Sequence, residues 1–351
     1  MGKVIVGKNL LGKISELIYL EKFSKVAVLT DKNVAGPWLK KLESGINKDV
    51  LEIVVEPGEG SKSLRRSEVI WQKMLNGKMD RQSLLINLGG GVVTDLGGFV
   101  ASTFMRGIDF INVPTTLLAM ADASIGGKTG INLQGTKNII GTFSEPEKII
   151  IDTNVLRTLS DRVFVEGFAE IVKHSIIDGR DYFGLVTSKK PREFDGKELE
   201  KIIKESIRIK SAVVDKDKKE KGLRKVLNFG HTIGHAIESI SLKTDRPLLH
   251  GEAIAIGMVA ESKLAQLMGL LSEKDFLLIK NAVDRVGLPC CHPDEGRDPD
   301  LLIHNILQIM SFDKKNIEKR ILWSLPKKIG QVTANVQVPD ALIVEALRTI
   351  L

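Results

Sequence analysis

Short β-branched runs alternate with amphipathic stretches through the first part of the chain. Residues 25–31, 51–55, 83–88, 110–114 and 148–152 are apolar runs of strand length, each followed by polar, proline or glycine residues. Between them lie helical stretches such as 67–78. Strands alternating with helices predict a Rossmann-like, mostly parallel α/β sheet, with ligands at the carboxyl ends of its strands. Further on the strand signal mostly fades. Residues 162–177, 197–214, 227–240, 251–270 and 273–286 carry apolar positions at the 3.6-residue period of helices. A last helix is expected over 340–350, with Pro339 ahead of it and Asp340 placed to cap it. The pattern therefore predicts an α/β domain over 1–160 and an all-α domain over 161–351. Residues 288–300, with three prolines, read as a connecting loop.

Length and composition agree with this and narrow the function. The 351 residues exceed the roughly 250–300 at which one core stops growing. A net charge of +7, from 51 Lys+Arg against 44 Asp+Glu, is modest and fits a small anionic substrate. The most basic patch, 216–225, is interrupted by acidic residues and lacks interleaved aromatics, which argues against a nucleic-acid partner. The longest apolar run, 253–271, is broken by Glu261 and Lys263, so it reads as a buried helix and not a membrane span. Cys290 and Cys291 are adjacent, an arrangement that rarely forms a structural bridge, and free thiols suit a reducing cytosol. The first eight residues show no signal-peptide pattern, so a cytoplasmic protein is expected.

Two clusters point to phosphate or nucleotide chemistry. Gly89-Gly90-Gly91-Val92-Val93-Thr94-Asp95 follows a strand and opens a helix. Consecutive glycines let backbone N–H groups approach a pyrophosphate, and a helix N-terminus favours its charge. Thr94 stands where the third glycine of G-x-G-x-x-G would fall, so the loop is either a variant dinucleotide site or a tight strand–helix turn. Asp31 ends an early strand, where a carboxylate commonly binds a ribose hydroxyl; alternatively it is a turn or N-cap residue. The second cluster runs Pro114-Thr115-Thr116, then Asp122-Ala123-Ser124-Ile125-Gly126-Gly127-Lys128-Thr129-Gly130, then Gly135-Thr136-Lys137-Asn138. It is not a P-loop, because Asp122 occupies the position of the first glycine, and an ATPase is excluded. Its lysine and asparagine remain able to bind a phosphate or a cofactor amide, or are surface turn residues.

A third cluster points to a metal. Three of the chain's six histidines, His231, His235 and His250, fall within 20 residues. His231 and His235, four apart, share one face of a helix. Glu170, in Gly167-Phe168-Ala169-Glu170-Ile171-Val172-Lys173-His174, offers a carboxylate. One carboxylate with imidazoles and one open position is the donor set of a catalytic zinc. Histidines at this spacing also occur as ordinary capping or core residues.

Taken in order, these blocks resemble the 3-dehydroquinate synthase family. The resemblance spans residues 25–316 and includes Phe104-Met105-Arg106-Gly107, Lys137-Asn138, the run 224–238, Leu249-His250-Gly251-Glu252 and Asp313-Lys314-Lys315-Asn316. It implies an N-terminal NAD-binding domain, a helical metal-binding domain and one divalent ion, zinc or, with the same ligands, cobalt. By this resemblance Glu170, His231 and His250 are the metal ligands and His235 faces the substrate. The cofactor positions it implies are Asp31, Asn33, Glu59, Lys62, Gly90, Gly91, Asp95, Thr115, Thr116, Lys137 and Thr158. The substrate positions it implies are Arg106, Asp122, Lys128, Asn138, Lys173, Lys210, Glu220, Arg224, Asn228, His235 and Lys314. Arg106 would be lent across a homodimer. Two departures stand out. Asp217-Lys218-Lys219-Glu220 replaces Asp-Glu-x-Glu, and the loop 241–247 is slightly expanded. Both Lys314 and Lys315 are candidates for the last position.

The reaction implied is the cyclisation of 3-deoxy-arabino-heptulosonate 7-phosphate to 3-dehydroquinate, with loss of phosphate and transient use of NAD. A doubly anionic sugar acid suits an unusually cationic pocket, in which Arg224 and Lys210 would hold the carboxylate. The nearest alternatives are another sugar phosphate cyclase, of the 2-deoxy-scyllo-inosose or valiolone type, and a metal-dependent polyol dehydrogenase. The first acts on substrates without the carboxylate, and the second needs no phosphate-binding cations. A non-catalytic dinucleotide-binding protein would not need the full metal set.

Overall fold

The computed structural model describes residues 2–134, 136–242, 244–292, 298–311 and 321–351. They form two compact units, Met1–Ser160 and Asp161–Leu351. In the first, strands β1 (Lys3–Gly7), β2 (Val26–Asp31), β3 (Val50–Val55), β4 (Leu84–Gly89), β5 (Asp109–Pro114) and β8 (Lys148–Asp152) make a parallel sheet in the order β1-β8-β5-β4-β2-β3. β4 is buried along its whole length, which explains its unbroken apolar sequence. Helices α1 (Leu64–Asn76) and α2 (Gly91–Thr103) follow β3 and β4. The chain leaves β2 towards β3 and β4 towards β5, so the direction of winding reverses between β2 and β4. Such a reversal opens a ligand crevice at the carboxyl ends of the two strands. Asp31 and the triple-glycine run flank it.

β1 and the hairpin of β6 (Lys128–Leu133) and β7 (Thr136–Phe143) were not legible as strands. Gly, Lys, Thr and Asn in the hairpin mask its period. It packs along α2, where Gly98 leaves room for Thr129: a Cβ on Gly98 would lie 2.4 Å from Thr129 Cγ2.

The second unit was expected to be all-α; among its described residues it is mostly helical but also holds a hairpin, β9 (Trp323–Lys328) and β10 (Gln331–Val336), turned at Gly330 with φ 99°. Its polar, proline-containing sequence hides it from a hydropathy reading. The principal helices are α3 (Phe168–Asp178), α4 (Gly196–Lys216), α5 (His231–Ser241) and α6 (His250–Leu267). α6 is buried on nearly every face, and α3, α5, the helices Glu273–Arg285 and Asp340–Leu347, and β9 all pack on it. Two expected helices are shorter than their apolar pattern. The stretch 162–177 is divided at Gly167, where α6 begins against the Glu166 carbonyl. The stretch 227–240 becomes α-helical only from His231, because Gly230 takes φ 81°, and its first two residues close a 3-10 turn. Asp340 is the first helical residue and makes no side-chain cap; Pro339 holds the cap position.

α5 and α6 touch at backbone distance. A Cβ on Gly257 would lie 2.1 Å from the Gly230 carbonyl oxygen and 2.7 Å from the Gly234 nitrogen. Backbone cannot yield as a flexible side chain can. Gly257→Ala is therefore expected to cost about 1–3 kcal/mol. Urea unfolding of the purified variant checks this, and an unchanged midpoint would contradict it.

Candidate active site

In the first unit most of the expected cofactor residues follow the strand ends, while Asp95 lies within α2 and Lys137 within β7. Asp31 caps the short helix after β2, its Oδ1 accepting from the N–H groups of Asn33 (2.9 Å) and Val34 (3.2 Å). Burial pushes its carboxyl up, and those two N–H groups pull it back. Oδ2 accepts no hydrogen bond among the described residues, so the capping role leaves one oxygen for a ribose hydroxyl. Gly90 is the N-cap of α2 and supplies no side-chain acceptor, which leaves the first-turn N–H groups open to an anion. A Cβ at Gly90 would sit 3.0 Å from Thr116 Cγ2. Thr115 donates its N–H to the Gly89 carbonyl (3.0 Å), while its buried hydroxyl has no partner among the described residues. An open helix N-terminus with an orphaned hydroxyl beside it fits a dinucleotide pyrophosphate.

After β3, Lys62 and Asp95 form a largely buried ion pair. Asn132, which the sequence reading passed over, ties this region together. Its Nδ2 donates to Glu59 Oε1 (2.8 Å), its N–H donates to the Lys62 carbonyl (2.8 Å), and its Oδ1 accepts from the Asn138 N–H (2.9 Å). No spacing in the sequence marks this residue. After β8, Thr158 Oγ1 accepts from Trp38 Nε1 (2.9 Å). Asp122 lies on the turn Ala119–Ala123 after β5, Lys128 is exposed at the start of β6, and Lys137 and Asn138 lie in β7. Arg106 stands apart. It precedes β5, at the amino-terminal edge of the sheet, exposed and with φ 72°.

In the second unit the histidines converge. Ring centroids of His231 lie 5.1 Å from His235 and 5.6 Å from His250. Glu170, buried in α3, aims Oε1 at both helices, 3.5 Å from His231 Nε2 and 3.7 Å from His250 Nε2. Two donors each about 2.1 Å from one tetrahedral zinc stand about 3.4 Å apart, so this spacing suits a shared ion. The imidazoles of His231, His235 and His250 also lie close enough to form a rival set, with donor atoms within 4.8 Å of one another. The carboxylate set is favoured, because Glu170 faces both Nε2 atoms and brings the negative charge a divalent ion needs.

The other ring nitrogens are held as well. His231 Nδ1 lies 3.1 Å from the Phe229 carbonyl, and His250 Nδ1 lies 3.4 Å from Glu238 Oε2. Glu238 closes the motif that begins at His231, yet sequence alone gave it no role. Such outer contacts fix the tautomer and orientation of a ligating histidine.

Buried cations surround this cluster's elements. Lys173 pairs with Glu170 one turn along α3, and Lys210 and Arg224 are buried in α4 and in the 3-10 stretch Leu223–Asn228 packed against it. Asp217 organises the preceding loop by accepting from the N–H groups of Lys221 (2.9 Å), Gly222 (2.7 Å) and Arg224 (3.0 Å), which holds its carboxyl below the usual range. Arg224 Nη1 donates to the Lys218 carbonyl (2.9 Å), and Asn228 Nδ2 donates to Glu220 Oε1 (2.8 Å). Glu220 therefore keeps a definite place, with φ 57°, despite the altered Asp217–Glu220 block. Lys314 and Lys315 lie outside the described residues.

Both halves of the chain match family models, residues 52–166 the 3-dehydroquinate synthase N-terminal model and residues 167–316 the C-terminal one. A 3-dehydroquinate synthase of a Nitratiruptor species is 42% identical over 326 residues, covering 93% of this chain and 90% of the relative. Among solved structures, a 2-deoxy-scyllo-inosose synthase complexed with carbaglucose-6-phosphate, NAD+ and Co2+ superimposes with a TM-score of 0.87 at 26% identity, over 99% of this chain and 96% of the other. The 2-epi-5-epi-valiolone synthase of Streptomyces hygroscopicus subsp. jinggangensis 5008, with NAD+ and Zn2+ bound, gives 0.86 at 26% identity, over 100% and 96%. The fold is thus one shared with sugar phosphate cyclases. Within that class the chain belongs to the 3-dehydroquinate synthase family.

The electrostatics of the cluster generate a prediction for the metal-free protein. Burial holds His231 well below 6.5, as a neutral imidazole. Burial works against charge on His250 too, but Glu170 and Glu238 outweigh it and push the pKa up to about 10. The His250 proton is therefore retained through neutral pH and lost as pH rises through about 10. Histidine-resolved NMR should show this, with a lower His250 pKa in Glu238→Gln. A His250 that titrates near 6.5 in both proteins would contradict the assignment.

Proposed function

We propose that the chain is a 3-dehydroquinate synthase, converting 3-deoxy-D-arabino-heptulosonate 7-phosphate to 3-dehydroquinate and inorganic phosphate with NAD and one divalent metal ion. The observation that carries the reading is the carboxylate of Glu170 facing His231 and His250, in a unit that also buries Lys173, Lys210 and Arg224, in a chain of this family.

Glu170, His231 and His250 would hold the ion, with His231, neutral and with Nδ1 turned to the Phe229 carbonyl, free to offer Nε2. When bound, the ion supplies Lewis-acid polarisation of substrate hydroxyls, and NAD supplies a reversible hydride acceptor, so no net redox change results. Gly90, Gly91 and the open N-terminus of α2 take the pyrophosphate, and Asp31 Oδ2 takes a ribose hydroxyl. Asn33, Glu59, Lys62, Asp95, Thr115, Thr116, Lys137 and Thr158 complete the cofactor loops. Arg224 and Lys210 grip the substrate carboxylate, where burial strengthens each charge-assisted bond. The family resemblance gives Lys128, Asn138 and Asp122 of the first unit, and Lys173, Asn228, His235 and Glu220 of the second, as further substrate positions. No side chain is assigned as general base, because the departing phosphate carries its own.

Arg106 serves the second protomer of a homodimer, a role supported by its position at the sheet edge away from the cofactor loops. A cytoplasmic location fits the two free thiols. No helix among the described residues is long and apolar enough to cross a membrane.

The solved cyclase structures favour one alternative, a cyclase for a substrate without a carboxylate. Buried Arg224 and Lys210 argue for the carboxylate-bearing sugar acid. With this substrate and catalytic NAD+, the metal-loaded protein should release phosphate stoichiometrically without accumulating NADH, and a chelator should stop it. Losing one charge-assisted contact in Arg224→Ala should cost about 1.5–3 kcal/mol, or roughly 10–150-fold in kcat/KM. Steady NADH formation from glycerol with no phosphate release would move the protein to the polyol dehydrogenases.

A further inference from the structure

Glu261 lies in the middle of α6 with no exposed surface. Its carboxylate accepts three backbone N–H groups at the start of α5. Oε2 takes Gly230 (2.6 Å), and Oε1 takes Thr232 (3.0 Å) and Ile233 (3.1 Å). The ordinary capping device is closed to this helix. Gly230 sits at φ 81°, and a Cβ there would lie 2.5 Å from Met258 Cγ, so a serine or aspartate has no place at the cap. The acceptor comes instead from the facing helix, which only the close crossing of α5 and α6 permits.

His231 is the first residue of α5 and lies between the amides that Glu261 holds. Fixing that turn fixes the ring's point of attachment. The second consequence is electrostatic. A helix N-terminus carries a partial positive charge, which opposes a cation gathered beside it. A buried carboxylate against that terminus offsets the field.

We infer that Glu261 is a positioning residue of the metal centre: it holds His231 in place and lowers the electrostatic cost of a divalent ion beside the α5 N-terminus. The inference rests on Glu170, His231 and His250 being the ligands.

The test measures zinc affinity by competition with a chromophoric chelator, and the visible spectrum of the cobalt-loaded protein. The parent, Glu261→Gln and Glu261→Ala are compared, all with circular dichroism matching the parent. Glutamine keeps the shape and one acceptor oxygen but loses the charge and the second acceptor, and it carries the test if the alanine variant does not fold. Zinc affinity should fall about 10–100-fold, more in alanine than in glutamine, and the cobalt bands should shift. Asp195→Ala removes a carboxylate cap at the start of α4 and serves as the structural control, expected to lower the melting temperature without changing metal affinity. Parent-like affinity and cobalt spectrum in both Glu261 variants would overturn the inference while leaving the ligand assignment intact. Failure of the parent itself to bind zinc would overturn the ligand assignment and this inference with it.

Discussion

The second unit depends on the contact between α5 and α6 at Gly230, Gly234 and Gly257. Because no side chain separates the helices there, the start of one can be held by a carboxylate of the other, and their histidines can face the same carboxylate of α3. A larger residue at the crossing would push the two backbones apart. Glu170 Oε1 lies 3.5 Å from His231 Nε2 and 3.7 Å from His250 Nε2, so the helix contact also sets how both histidines face that carboxylate.

Two helix N-termini in this chain are treated in opposite ways. α2 begins at Gly90 with no side-chain acceptor, which suits the anionic ligand proposed for it. α5 also begins at a glycine, but Glu261 satisfies its N–H groups beside a candidate cation site. The same backbone dipole is exposed in one case and neutralised in the other. Burying Lys173, Lys210 and Arg224 follows a similar logic. A lysine or arginine is rarely taken out of water unless paired or given an anionic ligand.

Much of this was legible in the sequence. The buried parallel strands announce themselves as apolar runs, and the histidine pair and the triple glycine carry their chemistry in residue type and spacing. The strands of the β6–β7 hairpin were not legible, because Lys, Thr, Gly and Asn break up the apolar alternation there. The β9–β10 hairpin was hidden by Pro326 and the two lysines that follow it. Residues that act through others were the hardest to see. Asn132 joins Glu59, Lys62 and Asn138 across segments distant in sequence. Glu261 had only appeared as a charge interrupting an apolar run, since its partners belong to another helix. Asp31 is the N-cap residue that the sequence offered as one of its two readings, its Oδ1 taking two backbone N–H groups.

The most direct test of the account is a calorimetric zinc titration of two variants, Glu170→Gln and His235→Asn. The account predicts that His235→Asn still binds one ion with affinity near that of the parent, while Glu170→Gln loses tight binding. Tight binding retained in Glu170→Gln and lost in His235→Asn would show that the three imidazoles, and not the carboxylate set, hold the metal.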